Sequence, residues 1–357
     1  MFISRFQVER MTSAAARRVG AILGRVRPLA PTLESLELKP AQLGLEFTNL
    51  CNANCVFCPY QYQQRAHEFM SDAVFGKAVG EYVAMGGGDI ELTPIVGDPL
   101  IHPDFVGRVR HLRAQQGIGR IFTITNGILL DKHGIGDVLA SGLTAIFIST
   151  AGFEETMYRR IYRNPAYQRM RRNVLELVRE NDRLGKPVEV TIALRGDRPL
   201  IELLKDPDFQ EILEHEPIVR SNQAYSDAGG KIKQADLPGT IRLRVLRPHT
   251  EACAYTYWGP SVLANGMVVA CNCLASMDAE RDIAIGDITT QSLLEIWRGP
   301  RMRELREAFA ARRLNQTCAG CTMYQNLDPF RAKSGRDLAK LNRAAFEGSL
   351  ASGGGCA

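Results

Sequence analysis

No apolar run in this 357-residue chain approaches the ~20 residues needed to cross a bilayer. No secretory signal shows either, since the Arg17-Arg18 pair is followed only by VGAILG, too short and too glycine-rich for a signal core. Compositional extremes are also missing. Hydrophobic residues make up 45% and charged residues 23%, the balance of an ordinary folded chain with room for two or three domains. Without a secretory signal, nine cysteines point to a reducing compartment, where thiols bind metal instead of pairing as disulfides. The expectation is a cytoplasmic protein, and nothing in the pattern calls for nucleic acid as a partner.

The charge is unevenly placed. Residues 1–30 hold six arginines and one acid, Glu9, a net +5 that equals the formal charge of the whole chain. Such a segment suits weak contact with a membrane surface or an acidic partner. The alternative is a helix packing Phe2, Phe6, Ile22 and Leu23 onto the body of the protein.

From residue 43 onward, β-rich runs alternate with helical patterns. The strand candidates are Leu43–Thr48, Asp89–Thr93, Arg120–Thr125, Thr144–Thr150, Val188–Leu194 and roughly Pro217–Asn222. Ser71–Met85 reads as a helix with a serine cap and one apolar face of Phe75, Ala78, Val79 and Tyr82. Strands separated by helices must run parallel through right-handed crossovers. Six units predict an α/β fold, a partial (β/α)6 barrel of parallel strands, whose chemistry collects at the carboxyl ends of the strands.

Cysteines stand where that rule would place a site. Cys51, Cys55 and Cys58 form a C-x3-C-x2-C array in LEFTNLCNANCVFCP, directly after the first strand. Thiolates this close can converge on an iron–sulfur cluster. A cluster of four irons then keeps one iron open, as catalytic metal sites do and closed structural ones do not. Zinc more often uses C-x2-C pairs. The array, with aromatic Phe57 before its last cysteine, resembles the signature of the radical S-adenosylmethionine (radical SAM) enzymes. The resemblance implies a [4Fe–4S] cluster that chelates SAM through its amino and carboxylate groups and cleaves it to a 5′-deoxyadenosyl radical. That radical takes a hydrogen atom from the substrate. A reductant such as flavodoxin or ferredoxin would feed the cluster.

Further strand ends carry SAM-binding candidates by the same resemblance. Gly97-Asp98-Pro99 is similar to the family's G-E-P segment, with a carboxylate one methylene shorter. Asn126 lies in a T-N-G that recurs in these enzymes. Ser149 at the fourth strand end and Arg163 are placed to meet the SAM ribose or carboxylate, and Phe57 to stack on an aromatic group.

Cys253, Cys271, Cys273, Cys318 and Cys321 make a second group. SVLANGMVVAC, Ser261 to Cys271, predicts a hairpin through Asn265-Gly266, a type I′ turn signal. C-x12-G-x4-C, then IGDI, a helical stretch and C-x2-C, resembles a SPASM domain in its shortened "twitch" form. That implies a second [4Fe–4S] cluster on Cys253, Cys271, Cys318 and Cys321. Cys273 either replaces Cys271 or remains a spare thiol able to donate hydrogen. A zinc site of the same four ligands suits the C-x2-C pair equally well.

The expected organisation is a basic helical segment at 1–40, a barrel at 41–240, a SPASM/twitch domain at 241–330 and a polar tail at 331–357 ending SGGGC with Cys356. Forty residues before the first strand are few for a peptide leader-binding domain. The expected substrate is therefore a small polar molecule, a sugar or aminocyclitol alcohol oxidised to a ketone. Epimerisation with Cys273 as donor, peptide modification, and a non-catalytic iron–sulfur electron carrier are the alternatives.

Overall fold

The structure, a computed structural model, describes residues 29–93, 96–271, 280–327 and 330. Most of the basic segment, Cys273 and the tail with Cys356 fall outside those residues.

Helix α1 (Ala30–Leu38) buries Leu36 against Tyr257, Trp258 and Phe330. Strand β1 (Gln42–Leu45) then leads through the cysteine loop to α2 (Asp72–Ala84). This helix forms where expected. Ser71 Oγ accepts the Val74 N–H at 3.2 Å, and Phe75, Ala78, Val79 and Tyr82 recur on the buried side. The alternation continues through β2 (Gly88–Glu91), α3 (Phe105–Ala114), β3 (Ile118–Thr125), α4 (Ile135–Leu139), β4 (Ala145–Thr150), α5 (Glu155–Tyr162), α6 (Tyr167–Arg183), β5 (Glu189–Leu194), α7 (Leu200–Leu203), α8 (Pro207–Leu213) and β6 (Ile218–Ser221). All six strand windows hold a strand within a few residues of its expected limits.

Strands β1 to β6 lie side by side in chain order and all run parallel. A short parallel pair, β7 (Ala224–Tyr225) and β8 (Arg242–Leu243), leads onward to α9 (Tyr255–Trp258). Next come β9 (Ser261–Val262), β10 (Met267–Val269), α10 (Glu280–Ile283) and β11 (Ala284–Asp287). Strand β9 pairs in parallel with β1, Gly44 opposite Ser261, and β10 and β11 extend that edge antiparallel. The result is one sheet in the order β11-β10-β9-β1-β2-β3-β4-β5-β6. Among the described residues its two ends do not pair, so the barrel is open. Sheet and barrel agree with the expected α/β class; the direct seam between β1 and the later hairpin was not foreseen.

The hairpin turn differs from the expected type I′, which needs positive φ at both central residues. Only Gly266 has it, at φ 92°, and Asn265 does not. Gly266 N–H donates to Leu263 O at 2.9 Å and Leu263 N–H to Met267 O at 2.8 Å. This is a three-residue loop, a type I turn closed by a left-handed glycine.

Helices cover one face of the sheet, where Leu43, Ile121, Ile146 and Ile192 join Phe75, Val174 and Met170 in the main core. The other face carries its own small apolar cluster, Phe122, Ile124, Ala145 and Phe147. By register, Ser149, Ala193 and Arg220 stand on that same face nearer the carboxyl ends. Polar groups such as Ser149 and Arg220 at the carboxyl ends, on the face away from the main core, are what a site in this architecture requires.

Candidate active site

The cysteine loop is strapped down at both ends. Asn54 N–H and Val56 N–H donate to Tyr162 O and Ile161 O at the end of α5. Asn126, just past β3, gives its Nδ2–H to Asn52 Oδ1 at 2.6 Å. Asp98 N–H donates to Leu50 O at 2.8 Å. Gly97 is at φ +100°, and a Cβ there would lie 2.6 Å from Thr48 O and 2.9 Å from Leu50 O. Only glycine lets these two segments approach so closely.

Within the loop, Cys55 is buried and Cys51 and Cys58 are half-buried. Burial pushes all three thiols up, aided at Cys55 by the charges of Cys58 and Cys51, and at Cys51 by Asp98 and Cys58. The charges of Cys51 and Cys58 thus both act on Cys55 at the centre of the loop. Ligation by metal would have to displace their protons.

Of the expected SAM contacts, the structure shows these surroundings. Asp98 is buried, with Oδ2 accepting Asn126 N–H at 2.8 Å and Thr125 Oγ1–H at 2.8 Å, and Oδ1 accepting Leu100 N–H at 3.1 Å. Burial raises its carboxyl above the ordinary range against the pull of these bonds. Pro99 begins the turn that Asp98 caps. Ser149 Oγ accepts Arg195 Nε–H at 2.6 Å and shares a hydrogen with Tyr162 Oη at 2.8 Å. Arg163 closes α5 in the left-handed region, exposed, with Nη1–H on Gln61 Oε1 at 3.1 Å. Phe57 is buried and already stacks on Tyr225, centroids 4.4 Å apart at 21°.

Sequence reasoning missed Arg195, Tyr225 and Tyr158. Arg195 is wholly buried, and neither Nη1 nor Nη2 has a hydrogen-bond partner among the described residues. Its guanidinium lies 5.5 Å from the Phe57 centroid and 5.6 Å from that of Tyr225. The Tyr225 hydroxyl donates to Asn222 O at 2.7 Å and turns its oxygen toward the guanidinium. The buried Tyr158 hydroxyl also lacks a partner and lies in the field of Cys55, Asp98 and Cys51. A charged residue directly after the TIAL run of β5 was a legible signal for Arg195. The tyrosines left none.

Cys253, Cys271, Cys318 and Cys321 line one cavity with His249, Tyr255, Phe309 and Tyr324. Burial holds Cys253 up to about 12 and Cys318 up to about 11. Among the described residues no group of three or more His, Cys, Asp or Glu is gathered tightly enough for a single metal ion. Four thiols around one cavity are the soft donor set that an iron–sulfur cluster takes, as zinc also does. The orphaned hydroxyl of Tyr158, in the field of Cys55, Asp98 and Cys51, suits a polar ligand beside the first trio in the same way. Cys58 and Cys318 pack on one apolar cluster, Val96, Leu263, Val269 and Ile283, so the two groups are neighbours.

An open parallel barrel with a three-cysteine loop at β1, and a four-cysteine cavity sewn to it by β9, defines an iron–sulfur enzyme. The family model described as the radical SAM superfamily matches residues 45–196, and the SPASM model, an iron–sulfur cluster-binding domain, matches residues 253–322. The chain belongs to the radical SAM superfamily and carries a SPASM domain; its cofactors are SAM and two [4Fe–4S] clusters. Among curated proteins it is similar to GTP 3′,8-cyclase of Vibrio vulnificus (strain YJ016), 28% identical over 181 residues, 49% of this chain and 51% of that protein. The same enzyme of Peptoclostridium acidaminophilum is 28% identical over 158 residues, 43% and 46% of the two chains. The chain thus spans about half the length of the curated relatives it matches. Among solved structures it shares its fold with BtrN in complex with AdoMet and 2-DOIA, TM-score 0.51 at 14% identity over 79% of this chain and 92% of that one. Streptococcus suis SuiB bound to S-adenosylmethionine gives TM-score 0.54 at 13% identity over 85% and 77%. No helix among the described residues is long and apolar enough to cross a membrane.

Proposed function

We propose that this enzyme oxidises an alcohol carbon of a small polar substrate, a sugar or aminocyclitol in class, to a ketone. The observation that carries the reading is the adjacency of the two cysteine groups across Val96, Leu263, Val269 and Ile283. Packing of both groups on one apolar cluster favours chemistry in which an electron left on the substrate passes to the second group. The bound cofactors supply hydrogen-atom abstraction at the first site and one-electron acceptance at the second. Cys51, Cys55 and Cys58 hold the first cluster, with Asp98 and Asn126 fixing the loop and Ser149 fixing Arg195. Cys253, Cys271, Cys318 and Cys321 hold the second. Residues 41–240 act as the barrel and 241–330 as the cluster module, in a cytoplasmic protein reduced by a flavodoxin or ferredoxin. The segment 1–40 is read as its basic entry and 331–357 as its tail.

The curated relatives favour one other reading, cyclisation of a nucleotide, because their printed name is GTP 3′,8-cyclase. Titles that pair SuiB with a precursor peptide and anSMEcpe with a peptide are the ground for peptide modification. Cys273, the donor an epimerase would need, is outside the described residues.

Anaerobic reduction with SAM tests the class, with 5′-deoxyadenosine as the product to detect. The Cys51/Cys55/Cys58→Ala triple variant is expected to retain one cluster's iron and sulfide and to leave SAM intact. Zinc in the second site, or cleavage surviving the triple change, would overturn the assignment. Turnover in deuterated water separates oxidation, which gives a ketone and consumes one SAM, from epimerisation, which fixes solvent deuterium at carbon.

A further inference from the structure

Arg195 presents a buried positive charge that the chain itself leaves unanswered. Its Nε–H goes to Ser149 Oγ at 2.6 Å, and the two terminal nitrogens find no acceptor among the described residues. The groups that act on it most strongly are Tyr225, Tyr162 and Cys55, with Cys58 also in its field, and none of these is a carboxylate. A guanidinium taken out of water without a hydrogen-bonded anion is costly, so its forked donors are built for one that arrives from outside.

A second orphan stands beside it. Arg195 N–H donates to Thr150 O at 2.7 Å and Asn222 N–H to Leu194 O at 2.9 Å, so the β4-β5-β6 ladder runs on past the strand ends. Asn222 is therefore the lateral neighbour of Arg195. It is buried, and its Nδ2 also has no partner among the described residues. Three unanswered donor nitrogens on two adjacent strand ends form a built site for two or three oxygens.

Arg195 faces the first cysteine group, its guanidinium 5.5 Å from the Phe57 centroid and its charge acting on Cys55 and Cys58. From Arg195 the packing continues through Tyr225 to Arg244, whose N–H donates to Tyr225 O at 2.8 Å and whose side chain lies in the field of Tyr255 and Cys321. Arg195, Tyr225 and Arg244 thus form a continuous line of packing that leads from the first cysteine group toward the second.

We propose that Arg195, with Asn222 beside it, holds an anionic group of the substrate, a phosphate or carboxylate, between the two cysteine groups. This rests on the radical SAM reading above and narrows its substrate class to polar molecules that carry a negative group.

The test uses the anaerobically reconstituted full chain saturated with SAM, titrated calorimetrically with inorganic phosphate and with acetate. The wild-type enzyme is expected to bind at least one of them saturably. Arg195→Gln should weaken that binding by about tenfold or more, with Arg195→Lys intermediate. SAM affinity and iron content should stay within twofold of the wild type. Asn222→Asp keeps the side chain's shape and its acceptor for Ala224 N–H while placing a carboxylate next to Arg195. It should abolish anion binding in a folded protein even if Arg195→Gln fails to fold. No saturable anion binding in the wild type would overturn the proposal. So would a fall in SAM affinity or iron content in Arg195→Gln with anion binding unchanged, which would assign the guanidinium to the SAM carboxylate or the first cluster. Failure of the wild type to release 5′-deoxyadenosine would sink the radical reading itself, a result distinct from either.

Discussion

Replacing Asp98 by asparagine should unsettle the cysteine loop before any ligand is bound. Both carboxylate oxygens face donors: Oδ2 takes the Asn126 N–H at 2.8 Å and Oδ1 takes the Leu100 N–H at 3.1 Å, with Thr125 Oγ1 reaching both. An amide placed there in either orientation turns its NH2 against a backbone N–H. One charge-assisted bond is lost and one buried donor is stranded, together about 2–4 kcal/mol. Against this, burial already holds the carboxyl above its ordinary range, so removing the charge returns part of the desolvation cost. The net expectation is a loss of ~1–2 kcal/mol. Because Asp98 N–H is bonded to Leu50 O, the loosening reaches the residue before Cys51. Urea unfolding of the cluster-free chain, compared at equal slope, measures the change. SAM affinity of the reconstituted variant should fall about tenfold as a consequence. An unchanged midpoint in the cluster-free chain would refute the strap, and a fall in SAM affinity alone would leave Asp98 as a direct SAM contact.

Arg65→Met should cost ~3–5 kcal/mol, because it leaves the Glu46 carboxylate, 1% exposed, without its two-pronged partner at 2.7 Å. The Glu46→Met/Arg65→Met pair should recover much of that loss in the same unfolding assay. Glu91 is buried against Gln42, and burial pushes its carboxyl from 4.5 up to about 8. A raised value favours the protonated form in the folded state, so its stabilisation is complete below about pH 4.5 and is lost as pH rises to about 8. Thermal melts of Glu91→Gln across pH 5–9 should therefore show a flatter profile and a more stable protein than wild type at the alkaline end. A parallel profile for the two proteins would remove Glu91 from the account. Gly97→Ala should destabilise the fold by ~2–4 kcal/mol or prevent it, since the added methyl meets two backbone oxygens under 3 Å at a positive φ. Full soluble yield with an unshifted melt would show that the loop can yield.

Short-range patterns were legible because they carry their own physical cause. Ser71 and the four apolar residues at helical spacing made α2 readable, and β-branched runs between helical stretches made the six strands readable. The C-x3-C-x2-C array and the C-x2-C pair stood out because cysteines this close along a short loop can share one ligand. Even the turn at Gly266 was placed correctly, though its type was not, since Asn265 adopts a conformation that Asn-Gly permits but does not require.

Other features were decided only by tertiary structure, and for one reason: they join residues far apart in sequence, and such pairings leave no local pattern. The seam of Gly44 with Ser261 brings the second cysteine group next to the first. The stack of Phe57 on Tyr225, and Arg195 over both, unites three strand ends whose residues are individually unremarkable in the sequence. Asp98 looked like a ligand-binding carboxylate from its tripeptide alone. In the fold its oxygens face Thr125, Asn126 and Leu100, because those donors lie at the end of the neighbouring strand and in the turn it caps. Spacing along the chain could pick out the two cysteine groups. Only the packed barrel could show which buried charge was left waiting for a partner.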